Sequence, residues 1–390
     1  MNARFPISGD AVPYRLRLPG PTAVPERVLR AMAQPVVAHR GPEFLARFRD
    51  IQARLKPIIG RTGSAPYVFA STGIGAMESA VVNVAGPGQR VLVANNGQWG
   101  PVFRRLAEAI GAEVDDVATP PGSPVDLEGI ERALKNKEYA AVLAVHSESS
   151  TGVLTDLKAL GAIVRQTSAV LAVDSVSALG GAEMRADEWG VDVVVSASQK
   201  ALMCPPGLAL ASVGDKAWEV VSRGDRGPRS YFDYTRMRPN AEKGEPTYTA
   251  PVSMLNALHE ALTMIGEEGL DAALARHRRL SSALAAGAAG LGFSVFPKGT
   301  PSPTLVVLLT PGEIDATALI DRLADGYNTI VAGTRFDDLK HRMVRIGTMG
   351  AINDSDILTD LHHLASAMRD LGGRPDEAAG LAAAAEVLAG

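Results

Sequence analysis

The chain has 390 residues, 46% apolar and 21% charged, with a net charge of −4. That length holds two packed domains of about 100 to 200 residues each, and the balance excludes a disordered or low-complexity scaffold. Its 39 Lys and Arg form no basic stripe that would suit nucleic acid, and a single cysteine, Cys204, excludes an internal disulfide or a cysteine-rich metal site.

From about residue 65 to 215, short apolar runs alternate with helical stretches. Tyr67-Val68-Phe69-Ala70, Val91-Leu92-Val93-Ala94, Ala140 to Val145, Ala169 to Val173, Val191 to Val195 and Leu208 to Val213 read as strands. Most lack polar alternation, as expected of strands buried on both faces of a largely parallel sheet. Pro101 to Ile110, Leu127 to Leu134 and Leu157 to Gln166 read as the helices between them. Alternating β and α predicts a doubly wound α/β domain, whose ligands bind outside the carboxyl ends of the strands. Residues 223 to 251, rich in Arg, Gly, Pro and Tyr, read as an irregular connection. Helices follow over Ser253 to Glu267 and about Ala272 to Leu291, then strands near Phe293 to Phe296 and Thr304 to Leu309. A helix from Ala316 to Ala324, a strand Met343 to Ile346 and a helix from Asp354 to Leu371 complete a smaller α+β domain. The Ala-rich tail from Pro375 fits a helix or a frayed end. The expected division is an N-terminal arm over 1–22, a large domain over 23–252 and a small domain over 253–390 that begins with a connecting helix, 253–267. No apolar run reaches the roughly 18 residues of a membrane span. The first ten residues carry no secretory or transit pattern, and a soluble, cytoplasmic protein is expected.

The chemistry-bearing residues stand where those strands end. Lys200 comes just past Val191 to Val195, where an amine can be desolvated and its pKa lowered; taken alone it reads more readily as a solvent-facing lysine. Asp174 ends the run Val170 to Val173, 26 residues earlier. An acid there can simply cap a helix. Paired with a lysine one β–α–β step later, it fits a pyridoxal phosphate site, where the acid keeps the pyridine nitrogen protonated. Ser71-Thr72-Gly73-Ile74-Gly75 follows a strand and opens a helix, a ready anion cradle. Its Gly-Ile-Gly also begins a dinucleotide fingerprint, but Glu78 stands at the third glycine and the next strand ends in Asn95-Asn96 instead of an acid. Trp99, between glycines, can stack on a flat ring, although a lone Trp reads as core. His146-Ser147-Glu148-Ser149-Ser150-Thr151-Gly152 follows another strand and offers hydroxyls. The seven histidines show no metal-ligand spacing, and no metal is expected.

In chain order stand Pro19-Gly20-Pro21-Thr22, Val24 to Leu29, Ala38 to Phe44, Ser71 to Glu78, Asn96-Gly97-Gln98-Trp99-Gly100, His146 to Gly152, Val173-Asp174-Ser175-Val176, Ser198-Gln199-Lys200 with Pro205-Pro206-Gly207, and Arg345-Ile346-Gly347. This ordered set resembles the class V aminotransferases among the fold-type I pyridoxal phosphate enzymes, above all the alanine–glyoxylate and serine–glyoxylate (serine–pyruvate) group. The resemblance implies a large domain with a mostly parallel seven-stranded sheet between helices, a smaller C-terminal domain, and pyridoxal 5'-phosphate as cofactor. It makes Lys200 the Schiff-base lysine, Asp174 the partner of the pyridine nitrogen, and Trp99 the stacking ring. Ser149 would approach the phenolic oxygen and Val176 the cofactor. Thr72, Gly73, Ile74 and Gln199 would hold the phosphate, joined by Thr249 from a neighbouring subunit of a homodimer with shared active sites. Arg345 would take the substrate carboxylate, with Gly20 beside the substrate. The implied reaction moves an amino group from alanine or serine to glyoxylate or pyruvate. Two departures concern the phosphate: Ile74 has no side-chain donor, and Pro246 stands where relatives often carry a tyrosine, which leaves the part of Tyr248 open.

The same residues allow rival readings. A desulfurase or other lyase shares the superfamily, but needs a mobile nucleophilic thiol, and Cys204 lies four residues past Lys200. Relatives acting on aminoethylphosphonate or pyridoxamine keep the same scaffold. A non-catalytic cofactor-binding module would have no need of Arg345. A single arginine suits one carboxylate, which favours small donors.

Overall fold

The computed structural model describes residues 14–224 and 227–390. Seven strands form the central sheet: β1 (Tyr67–Ala70), β2 (Arg90–Asn95), β3 (Glu113–Ala118), β4 (Ala141–Val145), β5 (Val170–Asp174), β6 (Val193–Ala197) and β7 (Leu208–Val213). Their order is β1-β7-β6-β5-β4-β2-β3. Only β7 runs against its two neighbours; the other pairings are parallel. Every residue of β4 to β7 is buried, which is why those runs carry no polar alternation.

Six of the seven strands coincide with apolar runs read from the sequence. The seventh, β3, reads Glu-Val-Asp-Asp-Val-Ala. It lies at the sheet edge, half exposed, with its acids paired to Arg90 and Arg104, so apolarity could not reveal it. β6 begins two residues later than expected, because the Asp192 carboxylate, not a strand carbonyl, accepts the Leu171 N–H at 2.8 Å. The stretch 223–251 is not wholly irregular. It contains the helix Tyr234–Lys243, started by Asp233, which accepts from Thr235 N, and ended by Gly244 in the left-handed region. Pro239 and a largely polar composition concealed it. The helices Glu26–Met32 and Pro42–Ile59, also unread, pack on the helix Val252–Glu268, whose apolar face joins the core that lies beneath β4 to β6.

The smaller C-terminal region has a three-stranded antiparallel sheet of β8 (Ser294–Val295), β9 (Leu305–Leu309) and β10 (Met343–Gly347). The tail is a helix, Glu377–Ala389, with Asp376 at its N-terminus. It lies so close to the helix Leu270–Gly290 that a Cβ on Gly290 would come within 2.7 Å of the Gly380 Cα. Glycines permit that approach. The N-terminal segment is bound to the same region: Arg15–Leu16 pairs with Thr329–Ile330, Gly347 N donates to Arg17 O at 2.7 Å, and the buried Arg17 Nε donates to Asp360 Oδ2 at 2.7 Å. Among the described residues, no helix is long and apolar enough to cross a membrane.

Candidate active site

Parallel pairing in register sets Asp174 of β5 beside Val195 of β6. Asp174 and the residues after β6, Ser198-Gln199-Lys200, therefore reach the same carboxyl edge of the sheet. Lys200 is 9% exposed, and its Nζ donates to Pro19 O. The N-terminal segment clamps it further: Thr22 N donates to Gln199 O and Thr22 Oγ1 to Lys200 O, both at 3.1 Å. Gly20 has φ +120°, and a Cβ there would lie 2.4–2.5 Å from Lys200 Cδ, Cε and Nζ. Only glycine lets this segment rest on the lysine.

Burial pulls the Lys200 amine down to about 8; Asp174 opposes that fall and Arg345 adds to it. Burial pushes Asp174 up to about 7; the Val176 N–H, 2.8 Å from Oδ1, resists, Glu148 adds to the rise, and Lys200 resists it. A buried amine and a buried carboxyl thus both titrate near neutrality. Such matching suits a group that must gain and lose a proton in one cycle.

After β1 the chain turns at Ser71-Thr72 straight into a helix. Thr72 Oγ1 accepts from Gly75 N at 3.2 Å and starts the helix Gly73–Val84. The Gly73 and Ile74 N–H groups have no carbonyl of their own helix to bond, and a helix start favours an anion. Gly73 packs on Val176: a Cβ there would lie 3.2 and 3.3 Å from the two Val176 methyls. Gln199 Oε1 is buried with no partner. Ile74 is 47% exposed.

Trp99, Ser149 and Arg345 form a connected set. Trp99 Nε1 donates to Ser149 Oγ at 2.9 Å. Arg345, on β10, donates from Nε to Gly333 O at 2.7 Å and from Nη1 to Ser149 O at 2.8 Å. It forms no ion pair among the described residues. Burial lowers its pKa, Glu148 opposes this, and Arg335 adds to it.

Ten of the twelve expected site residues are thus in or against one assembly: Lys200, Asp174, Val176, Gly20, Gln199, Thr72, Gly73, Trp99, Ser149 and Arg345. Ile74 contributes only its backbone. Thr249 does not join: it is exposed and lines a shallow recess with Ala70, Tyr231 and Pro246. The Tyr248 hydroxyl is already spent, donating to Ser230 O and Tyr231 O at 3.0 and 2.9 Å. Sequence reasoning passed over Glu148, which had no mark beyond its place among hydroxyl residues, yet is 0% exposed beside Trp99. His146 is a packing residue here. Its ring meets Trp189 edge-on, burial holds it neutral with a pKa near 3, and its N–H donates to Asp174 O at 2.9 Å. Cys204 is buried, donates to Leu202 O, and burial pushes its thiol up to about 12. That is the wrong state for a nucleophilic sulfur.

A model of the class V aminotransferases matches residues 16–307. A protein of Synechococcus named soluble hydrogenase, small subunit, is 34% identical over 378 residues, 96% of this chain and 98% of its own. The serine–glyoxylate aminotransferase of Methylorubrum extorquens is 33% identical over 384 residues, 96% of this chain and 95% of its own. Among solved structures, the ureidoglycine–glyoxylate aminotransferase of Bacillus subtilis superposes with a TM-score of 0.92 at 30% identity, covering 98% of this chain and all of that one.

Proposed function

We propose, because the chain belongs to the class V aminotransferase family and is therefore an aminotransferase, that it moves the amino group of alanine or serine to glyoxylate or pyruvate with bound pyridoxal phosphate. Its sheet and smaller C-terminal region make up the fold-type I arrangement, one generally built for that cofactor. The residues present fit it. Lys200 offers a buried, partly neutral amine, Asp174 an acid for the ring nitrogen, and Trp99 a face for the ring. The free Gly73 and Ile74 N–H groups, with the Thr72 hydroxyl, suit the phosphate, and Gln199 would reach it with its NH₂, since its buried Oε1 can only accept. When bound, the cofactor supplies the carbonyl that takes up the amino group and the ring that stores the electron pair. Lys200 would take the proton from the substrate Cα, hold it at Nζ and give it back inside the site as the amino group moves, Asp174 would keep a proton on the ring nitrogen, and the packed Pro19–Gly20 segment keeps water from the amine.

The observation that carries the substrate half is Arg345. Two backbone carbonyls hold it and no acid among the described residues forms an ion pair with it, so part of its fork is unspent and suits one α-carboxylate. Arg345→Lys keeps the charge but loses the fork. We expect kcat/KM for alanine to fall about 10- to 100-fold, the scale of a charge-assisted contact, while ethylamine, which has no carboxylate, loses little. Equal losses for both would place the carboxylate elsewhere.

A second reading has one observation behind it. The exposed Arg335 lies near enough to Arg345 to press on its charge, and could serve the side-chain carboxylate of a dicarboxylate donor. A donor scan that includes aspartate separates the two.

We also propose a homodimer with shared sites. Thr249 stands apart from its own cradle, and Ile74 and Tyr231, at 47% and 40% exposure, leave that end of the molecule apolar. Mixed in equal amounts, Lys200→Ala and Thr249→Ala chains would form hybrids with one doubly defective and one intact site. About a quarter of parent activity should return, since half the dimers are hybrids with one good site in two. No gain over the separate variants would mean self-contained subunits.

A further inference from the structure

Glu148 is a buried carboxylate with no cation in ion-pair contact among the described residues, although it lies 0% exposed. Both of its oxygens nevertheless accept hydrogen bonds. Oε1 accepts from Ser150 N at 2.9 Å and from Ser150 Oγ at 2.6 Å, and Oε2 accepts from Trp99 N at 3.0 Å. The Ser150 hydroxyl in turn accepts from Gln98 N at 3.1 Å. The loop after β2 is pressed onto this carboxylate so closely that a Cβ on Gly97 would lie 2.4 Å from Glu148 Cδ. One side chain therefore stitches the loop after β2 to the loop after β4.

Both loops carry residues of the site. Trp99 is held at its backbone by Glu148 and at its indole by Ser149. Arg345 hangs from the carbonyl of that same Ser149. Burying a carboxylate is costly unless its hydrogen bonds are complete, and a packed apolar residue could fill the volume at less cost. What an apolar residue cannot do is gather three donors from two loops. Glutamine cannot do it either, because its NH₂ would face one of the N–H or O–H donors. A carboxyl group, with acceptors on both oxygens, satisfies all three; burial pushes its pKa up, and the Ser150, Trp99 and Gln98 donors oppose that rise.

We propose that Glu148 is a positioning residue: its carboxylate fixes Trp99 against the ring site and, through Ser149, fixes the Arg345 fork toward the substrate carboxylate. This rests on the roles given above to Trp99 and Arg345. Its charge also acts at a distance, opposing the loss of charge on Arg345 and raising the proton affinity of Asp174.

Glu148→Gln tests it, with two readouts besides turnover. The dissociation constant of added pyridoxal phosphate for the cofactor-free protein should rise roughly tenfold, the scale of one lost charge-assisted hydrogen bond. The visible circular dichroism of the bound ring should weaken as Trp99 loses its fixed place. In turnover, kcat/KM for alanine should fall about tenfold or more while ethylamine is affected less. In an Arg345→Lys background, that selective loss for alanine should largely disappear, because residues acting as a unit are not additive. Ser150→Ala, which removes one donor and leaves the carboxylate, should give the same pattern at smaller size and serves if Glu148→Gln folds poorly. Unchanged cofactor affinity and dichroism in both variants, or full additivity with Arg345→Lys, would overturn the positioning role. Trp99→Phe and Arg345→Lys alone test what it rests on: if those are silent, the earlier reading fails, whatever Glu148 does.

Discussion

Lys200→Ala removes turnover: a loss of about 10⁴-fold is expected, the upper end of what a positioned acid–base group contributes. The amine is buried at the carboxyl edge of the sheet and partly neutral at physiological pH. At its position near 8, about one molecule in ten carries the neutral form at pH 7, against a few in ten thousand for an ordinary lysine. Burial is the first cause of that gain, with Arg345 assisting. Activity of the parent should therefore rise with pH up to about 8, and the variant should lose that limb. Lys200→Arg keeps a cation and cannot deprotonate, so it should be as inactive as alanine. The truncated variant leaves the Pro19 carbonyl without its donor and a cavity the length of the side chain. Methylamine or ethylamine, added at high concentration, should fill that space and restore part of the rate. A parent-like rate in Lys200→Ala, with folding checked by circular dichroism, would remove the lysine from the chemistry.

The central sheet was legible because four of its strands are buried on both faces and so print unbroken apolar runs. The same rule hid β3, whose three acids serve an edge strand, and the helix Tyr234–Lys243, whose proline and polar surface look like a loop. Lys200 and Asp174 could be found because a strand end is a place fixed by topology: two neighbouring parallel strands bring their ends together whatever lies between them in sequence. The clamp on Lys200 could not. Pro19, Gly20 and Thr22 reach it from some 180 residues away, and nothing local in Pro-Gly-Pro-Thr says what it touches. Glu148 was unreadable for the same reason. Its partners Trp99 and Ser150 lie on two loops, and only their meeting distinguishes a buried anion from a surface one. Thr249 shows the opposite case: it was named from the sequence, and the chain places it outside the assembly.

Asp174→Asn should separate charge from shape. The amide can keep its oxygen toward the Val176 N–H, 2.8 Å from Oδ1 in the parent, so the strand end is preserved while the negative charge is lost. Two consequences follow with definite signs. Without the carboxylate, the proton on the ring nitrogen loses its partner. Turnover should fall by about 10²- to 10³-fold, the scale of removing one preorganised electrostatic contact from a developing charge. Lys200 shifts as well. Asp174 is the group that holds the amine's pKa up against burial and Arg345; removing it stabilises the neutral amine, and the pH limb should move below about 8, toward acid. Cofactor should remain bound through the cradle at Thr72, Gly73 and Gln199, which absorbance of the washed protein will report. A slow enzyme with an acid-shifted limb and retained cofactor is the signature of a lost electrostatic partner. A slow enzyme whose limb stays in place would mean that Asp174 does not face Lys200, and a parent-like rate would mean that the ring nitrogen is served by another residue.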